Sequence, residues 1–243
     1  MVGSLARALE WRSPRWTTSP QLFQGHFLSQ PNLAAGGDLR GNSLNSMRLV
    51  ASLQKREVEL SELQEIIGQD VGLSYKLLRL VNSAFFALPR EIESIRDAVV
   101  LLGINNIRRW ATLMALTEVD DEPDELLVTG LVRARMCELV ASSQGERDTD
   151  AYFTAGLFSV VDALMDAPMI ELLSQLPLSP DLSAALLRHE GPKGEVLHGV
   201  LAYEQGKAAE LGPLASLPAA TSELYSQAVE WATEASGGIT AAA

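Results

Sequence analysis

The sequence predicts an all-α protein: a compact multi-helix bundle that follows a short extended N-terminal segment. Two observations favour helices over strands. The chain is rich in Ala and Leu, with only 6% aromatic residues and few β-branched runs. From Ser43 onward its apolar residues recur at intervals of three and four, as they do along one face of a helix. A chain of 243 residues is also long enough to bury a substantial core.

The distribution of charge limits the classes of partner. The formal net charge is −12, yet residues 1–50 hold five Arg and only two acidic residues, so the rest of the chain carries 14 basic and 29 acidic groups. Such an acidic domain repels a phosphate backbone, which argues against nucleic-acid binding. No signal sequence is visible and no apolar run approaches the ~20 residues of a membrane span. The single Cys137 suits a reducing cytoplasm, the expected location.

Residues 1–41 form a separate segment in this interpretation. Proline and tryptophan interrupt any helical pattern there, and the Gly-rich stretch that follows is typical of a linker. Between them, Phe23, Gly25 and Phe27 lie at alternate positions of a short predicted strand that ends before Pro31. One strand is not stable alone, so we expect it to dock on another surface.

The helical domain is predicted to span residues 42–235, and signals at helix ends define its first elements. Ser61 (in the pattern of a capping box), Asp70 and Ser94 are each placed to cap the first turn of a helix. Gly103 is placed to end one. The predicted helices of this half begin near residues 43, 61, 70, 94 and 104.

Acidic residues and prolines organise the second half. Residues 118–125 hold six acids in eight positions, which is more typical of a solvated loop and an acidic first helical turn than of a binding site. Pro168, Pro180 and Pro192 mark helix starts. The small residues at 236–243 predict a flexible tail. The predicted helices cover about residues 123–142, 148–165, 168–176, 180–189, 192–211 and 222–235.

The stretch RLVNSAFF closes an apolar helical pattern with an amide and a hydroxyl, then places two phenylalanines. At a helix C-terminus the last carbonyls lack partners and the chain must turn. We expect the Asn82 amide to bond the incoming loop and the Ser83 hydroxyl to bond the turn. Phe85 and Phe86 then anchor the loop by burial. With Gly103 at the end of the next helix, these residues are interpreted as a structural clasp rather than a catalytic pair.

The segment from Asp70 to Trp110 resembles the HDOD family, the output-type relatives of HD phosphohydrolases. A weaker resemblance continues through residues 152–165 and 189–206. The resemblance implies a compact, all-α, HD-like bundle over most of residues 43–206. The matching elements are Asp70, Leu77-Leu78-Arg79, Asn82-Ser83-Ala84, Ser94-Ile95 with Ala98, and Leu102-Gly103.

The resemblance also directs attention to a metal centre. HD phosphohydrolases hold one or two metal ions with a His, a His-Asp pair and a further Asp, and the ions activate water for phosphoester hydrolysis. In this chain Ser159 and Val160 stand at the places of the His-Asp pair. Neither side chain can replace an imidazole and a carboxylate as a metal ligand, and Asp162 is a lone carboxylate typical of a surface or capping residue. The resemblance therefore implies a degenerate site with no catalytic residue and no bound metal.

Other candidates for catalysis are weaker still. His189, Glu190 and His198 could ligate a metal, but two scattered histidines without a His-Asp pair do not make a site. Cys137 has no histidine near it in the sequence and is expected to be a small core residue. The sequence contains no P-loop, G-x-G-x-x-G or G-x-S-x-G motif. We predict no cofactor and expect the protein not to be an enzyme.

The N-terminal segment carries a second resemblance. LFQGHFLSQP looks like the closing strand of an EAL cyclic di-GMP phosphodiesterase barrel, just before the linker to an appended HDOD domain. Residues 1–41 resemble only that end, because the Glu-Ala-Leu signature and the barrel carboxylates are not found in the sequence. This resemblance implies a pathway related to cyclic di-GMP.

Three functional hypotheses follow. The leading one is a non-catalytic signal-transduction module that acts through an unidentified protein partner in a bacterial, cyclic di-GMP-related pathway. A homodimer formed through the N-terminal segment is a further option. The alternatives are a nucleotide-sensing binding module and a residual metal-dependent phosphodiesterase or phosphohydrolase.

Overall fold

A computed structural model describes residues 41–54, 59–117 and 124–242, and within these ranges the chain forms α-helices and two 3₁₀ turns but no strand. The prediction of an all-α bundle is therefore confirmed for these residues. The predicted N-terminal strand at 23–28 and most of the acidic run, at 118–123, lie outside the described residues. The two acids that remain, Asp124 and Glu125, begin a helix, as expected for an acidic first turn.

Twelve α-helices occupy the described ranges. Two 3₁₀ turns, Ala208–Glu210 and Gly212–Ser216, precede the last of them. In chain order the helices are α1 (Gly41–Leu53), α2 (Leu60–Gly68), α3 (Val71–Val81), α4 (Ile95–Leu102), α5 (Ile104–Thr117), α6 (Asp124–Ser143), α7 (Thr149–Phe158), α8 (Val161–Leu164), α9 (Met169–Gln175), α10 (Pro180–Arg188), α11 (Gly191–Glu204) and α12 (Pro218–Ala242).

The helices pack as two groups joined by the last one. Helices α1 to α5 pack on one another, while α6 lies at the centre of the second group and contacts α7 and α11. Helix α12 packs on both α3 and α6, so it links the groups around one continuous apolar core. No helix in the described ranges combines the length and apolarity needed to cross a bilayer.

Local sequence signals explain several helix ends. The Asp70 carboxylate accepts from the Leu73 N–H at 2.9 Å, and the Ser94 hydroxyl caps α4, as predicted. Gly103 ends α4 with φ +86°, a conformation that favours glycine. The prediction of a capping box at Ser61 is wrong: α2 already begins at Leu60, so Ser61 is helical and cannot serve as an N-cap.

Two predicted helices are shorter than the pattern indicated. The helix predicted over 148–165 is interrupted between α7 and α8, at Ser159 and Val160. The helix predicted over 192–211 ends at Glu204, where the chain turns through Gly206 with φ +69° and enters the 3₁₀ turns. Periodicity alone did not reveal either break, because apolar residues continue on both sides.

Residues 236–242, which were predicted as a flexible tail, continue α12. The reason is packing. A stripe of small residues spaced three or four apart is buried, and Arg79 of α3 donates a hydrogen bond to the carbonyl of Ala241 near the helix end. The buried stripe consists of Ala228, Ala232, Ala235, Ile239 and Ala242.

Candidate functional site

The two positions matched to the His-Asp pair of HD phosphohydrolases form the break between α7 and α8. Ser159 ends α7, and its hydroxyl donates to the carbonyl of Gly156 at 2.7 Å. The side chain of Val160 is fully buried, and it occupies the space beside Gly130 of α6. One position is thus used to end a helix and the other to fill the core.

A buried ion pair lies directly beside this break. The Arg133 Nε lies 2.9 Å from the Glu204 Oε2, which joins α6 to the end of α11, and the side chains are only 4% and 9% exposed. A second guanidinium nitrogen of Arg133 donates to the Ser159 hydroxyl at 3.4 Å. The positions that the resemblance assigns to metal ligands therefore lie beside a buried guanidinium whose charge is balanced by Glu204.

Close helix packing holds this region together. A Cβ atom on Gly156 of α7 would lie 2.4 Å from the Arg133 carbonyl oxygen and 2.6 Å from the backbone of Ala134. Only glycine allows α6 and α7 to approach so closely at this crossing. The backbone of Arg133 is consequently fixed by α7 while its side chain reaches the end of α11.

The other ionisable groups around the pair respond to burial. Burial, followed by the negative charge of Glu204, raises the pKa of the Cys137 thiol, which lies one helical turn after Arg133. Burial also raises the pKa of the Asp162 carboxyl, although the Ala163 N–H and the Arg133 charge act against this. Asp162 is therefore half-buried rather than a simple surface residue, and Cys137 is a protonated core residue.

The donor set does not fit the metal centre of an HD phosphohydrolase. Ser159 offers a hydroxyl and Val160 an isopropyl group where the resemblance expects an imidazole and a carboxylate, and the neighbouring Glu204 carboxylate is already paired with Arg133. Among residues 41–54, 59–117 and 124–242, no group of three or more His, Cys, Asp or Glu side chains could hold a metal ion. The arrangement of Arg133, Glu204 and Ser159 suits a structural cross-link between helices.

The structure brings His189 and His198 together, which the sequence did not predict. Their rings stack with centroids 5.2 Å apart at 13°, and the His198 Nε2 lies 3.6 Å from the Glu210 Oε2. Burial and the neighbouring His198 lower the pKa of His189. The third candidate, Glu190, instead accepts two hydrogen bonds of 2.8 Å from Arg188.

The residues of the predicted clasp lie together between α3 and α4. The Asn82 amide donates to the Ile92 carbonyl at 2.8 Å, while its oxygen accepts from the Ile92 N–H at 2.7 Å. The hydroxyl of Ser83 is buried but bonds no group among the described residues, contrary to the expectation that it would bond the turn. The clasp role of these residues stays a prediction.

Phe85 and Phe86 take part in a cluster of edge-to-face aromatic rings. Phe85 lies 5.1 Å from Trp110 of α5 and 6.3 Å from Trp231 of α12, measured between ring centroids. Phe86 also contacts Trp110, at 5.6 Å. The loop after α3 is thus attached by aromatic contacts to α5 of the first group and to α12, the helix that links the two groups.

Sequence reasoning missed Arg133 and Glu204. A signal existed in α6, because Arg133 falls in the stripe of buried residues that includes Gly130 and Cys137, where a charge is out of place. Its partner lies 71 positions away and no local pattern marks it. The pair becomes visible only when α11 is placed on α6.

Comparisons with solved structures define the class of fold. A crystal structure named as a phosphohydrolase, from Shewanella amazonensis SB2B, matches with a TM-score of 0.57 and 15% identity, covering 82% of this chain and 93% of that one. A protein named for signal transduction, from Marinobacter aquaeolei VT8, matches with a TM-score of 0.56 and 16% identity, covering 97% of this chain and 65% of that one. At such identities the likeness establishes a shared HD-like helical fold.

The family follows from the sequence comparison. The HDOD domain matches residues 44–174, more than half of the chain, so the chain belongs to the HDOD family. YuxH of Bacillus subtilis (strain 168) is 32% identical over 218 residues, which cover 87% of this chain and 53% of YuxH. A Vibrio cholerae protein named cyclic di-GMP phosphodiesterase CdgJ is 34% identical over 177 residues, covering 72% of this chain and 41% of CdgJ. The chain thus spans about half the length of these curated relatives or less.

Proposed function

We propose that this chain is a non-catalytic regulatory module that acts through protein–protein contacts in a bacterial, cytoplasmic signalling pathway related to cyclic di-GMP. The observation that supports the proposal is the buried Arg133–Glu204 pair, because Arg133 also bonds Ser159, one of the two positions that the resemblance matches to the His-Asp metal ligands. A site of this composition has lost the ligands for metal-activated water but keeps the helices rigidly connected.

The link to cyclic di-GMP rests on two similarities. One is to CdgJ, whose printed name is cyclic di-GMP phosphodiesterase, although the match covers only 41% of that protein. The other is the resemblance of residues 1–41 to the end of an EAL barrel.

The test is metal content combined with hydrolysis. The protein is purified without chelator or affinity tag, its bound iron, manganese and zinc are measured, and it is then incubated with manganese and cyclic di-GMP or nucleoside triphosphates. We expect much less than one metal ion per chain and no turnover. The Vibrio cholerae relative CdgJ, assayed in parallel, provides the positive control.

Either of two results would contradict the proposal. A full equivalent of metal with turnover that a chelator abolishes would establish a residual hydrolase. A rise in melting temperature with cyclic di-GMP, without hydrolysis, would instead support the nucleotide-sensing alternative, because a ligand that binds only the folded state stabilises it.

The homodimer through the N-terminal segment is a separate proposal. It rests on the strand pattern at 23–28, since an isolated strand is stabilised by pairing with another. A solution mass equal to one chain at micromolar concentration, measured by light scattering, would remove it without affecting the proposed function.

A further inference from the structure

A small polar pocket lies where the end of α1, the helix α5 and the helix α7 meet. Thr112, Phe153 and Leu157 form its buried floor, and Arg108 and Asn105 stand at its rim. The pocket has a volume of about 20 Å³. This is enough for one water molecule or one small terminal group, and too little for a nucleotide base.

Most polar groups around the pocket are already paired. The Arg109 guanidinium pairs with both Glu138 and Asp150, and it lies 3.8 Å from the centroid of the Phe153 ring. The Asn105 amide donates to the Asp150 carboxylate at 2.8 Å. The negative charge of Asp150 is therefore compensated by Arg109, while the neutral Asn105 amide bonds its second oxygen.

Arg108 is the exception. Its guanidinium makes one long hydrogen bond, 3.3 Å, to the neutral side-chain oxygen of Asn105. Within the part of the chain that the structure describes, it forms no ion pair with a carboxylate. A guanidinium carries five N–H donors, so Arg108 presents a positive charge and unused donors at the rim.

The charges that line the pocket favour an anionic ligand group. The pocket lining contains two arginines, Arg108 and Arg109, and one acidic residue, Asp150, so its formal net charge is positive. An acidic group that enters the pocket meets this local positive charge, although the rest of residues 124–242 is acidic. Arg108 of α5 offers such a group a local positive charge.

We infer that this pocket receives the carboxylate side chain of an Asp or Glu from a protein partner, with Arg108 as its donor. The inference rests on the proposed function, since it names the chemistry of the partner that a non-catalytic module would bind. The pocket has room for one small terminal group, and the planar fork of the Arg108 guanidinium matches two carboxylate oxygens.

An acidic peptide tests the inference. A short peptide of consecutive glutamates is titrated into isotopically labelled full chain near physiological salt, and amide chemical shifts are followed by NMR. We expect saturable shifts centred on Asn105, Thr112 and Thr154, and no comparable shifts with the matched glutamine peptide. Arg108→Gln should weaken binding roughly tenfold, the effect of losing one charge-assisted hydrogen bond.

Arg96→Gln is the matched control, because Arg96 is an exposed arginine of α4 that does not line the pocket. It should leave the affinity unchanged. Equal losses in both variants would mean diffuse charge attraction and would overturn the inference, as would the absence of peptide shifts in the native chain. Equal melting temperatures of the two variants establish that each is folded.

Competition separates a carboxylate from other anions. Acetate and inorganic phosphate are each added to the peptide complex at equal concentration and ionic strength. Similar, weak displacement by both supports a partner side chain, whereas far stronger displacement by phosphate would identify a site for a small phosphate and overturn the inference. If the protein proves free of metal and hydrolysis yet does not bind the peptide, the pocket assignment fails while the proposed function stands.

Discussion

The loop that begins at Asn82 and the buried pair of Arg133 and Glu204 connect helices by different means. Asn82 exchanges two hydrogen bonds with a residue ten positions away, using a neutral amide. Arg133 and Glu204 are opposite charges joined across 71 positions inside the bundle. The comparison shows that the stability lost on breaking such a connection depends on which group is left without a partner. A lost amide leaves backbone groups that water can reach, whereas a lost partner leaves a buried charge.

The largest expected effect comes from breaking the charged connection. Arg133→Met should lower the free energy of unfolding by about 3–5 kcal/mol, because Glu204 is left buried without its guanidinium. The measurement is urea denaturation followed by circular dichroism. Adding Glu204→Leu should recover much of the loss; a double variant as unstable as the single one would contradict the role assigned to the pair.

The exposed pair of Arg188 and Glu190 provides the matched control. Both of its side chains are 57% exposed. Arg188→Met should change the free energy of unfolding by less than about 1 kcal/mol, because water replaces the lost interaction.

Two helical glycines allow the same comparison to be made for packing, since one lies at a close helix crossing and the other does not. Gly156→Ala should cost about 1–3 kcal/mol or more, since its Cβ would be pressed against the backbone of α6 beside Arg133. Gly237→Ala, on α12, meets no atom within 4 Å and should instead be neutral or stabilise by up to about 1 kcal/mol. Equal destabilisation by both substitutions would show that the close approach of α6 and α7 does not matter. Thermal and urea midpoints decide between these outcomes.

Breaking the neutral hydrogen bonds of Asn82 should have a smaller effect on the free energy of unfolding. Asn82→Ala should cost about 1–2 kcal/mol, because it removes both hydrogen bonds to Ile92. Asn82→Asp keeps the acceptor for the Ile92 N–H but opposes a carboxylate to the Ile92 carbonyl, so it should not restore the loss. The clasp hypothesis would be wrong if the melting temperature of Asn82→Ala equalled that of the native chain.

The smallest effect concerns pH. Burial and the neighbouring His198 lower the pKa of His189 in the folded state. As the pH falls below the ordinary histidine value of about 6.5, the unfolded chain therefore binds more protons at this residue than the folded chain does. The contribution of His189 to stability is present above that pH and is lost below it. His189→Asn, which tolerates the left-handed backbone at φ +54°, should therefore lose less stability than the native chain between about pH 7.5 and 5.5. Urea midpoints at the two pH values measure this; identical losses would contradict it.

Local features of the fold were predictable and distant ones were not. Asp70, Ser94 and Gly103 act within one turn of their own helices, so their roles are legible in the sequence. The end of α12 was missed because its buried stripe is mostly alanine, whose spacing is regular but whose apolar signal is weak. Its stability depends on packing against α3, which only the tertiary structure displays.

In the candidate site, too, the local features could be predicted from the sequence and the distant contacts could not. Ser159 and Val160 were singled out by resemblance to a motif, and the structure places them at the break between α7 and α8. The ion pair beside them could not be predicted, because Arg133 and Glu204 come from separate helices. The stacking of His189 on His198 likewise depends on how α10 turns into α11, through a residue in the left-handed conformation.

The buried thiol beside the ion pair gives the protein a built-in reporter. Cys137 is the single cysteine of the chain, it is fully buried in α6, and burial raises its pKa. Maleimides react with the thiolate, so labelling requires that α6 first separate from its neighbours. The rate at which a maleimide labels the native chain therefore reports how often α6 separates from its neighbours, without any engineered residue.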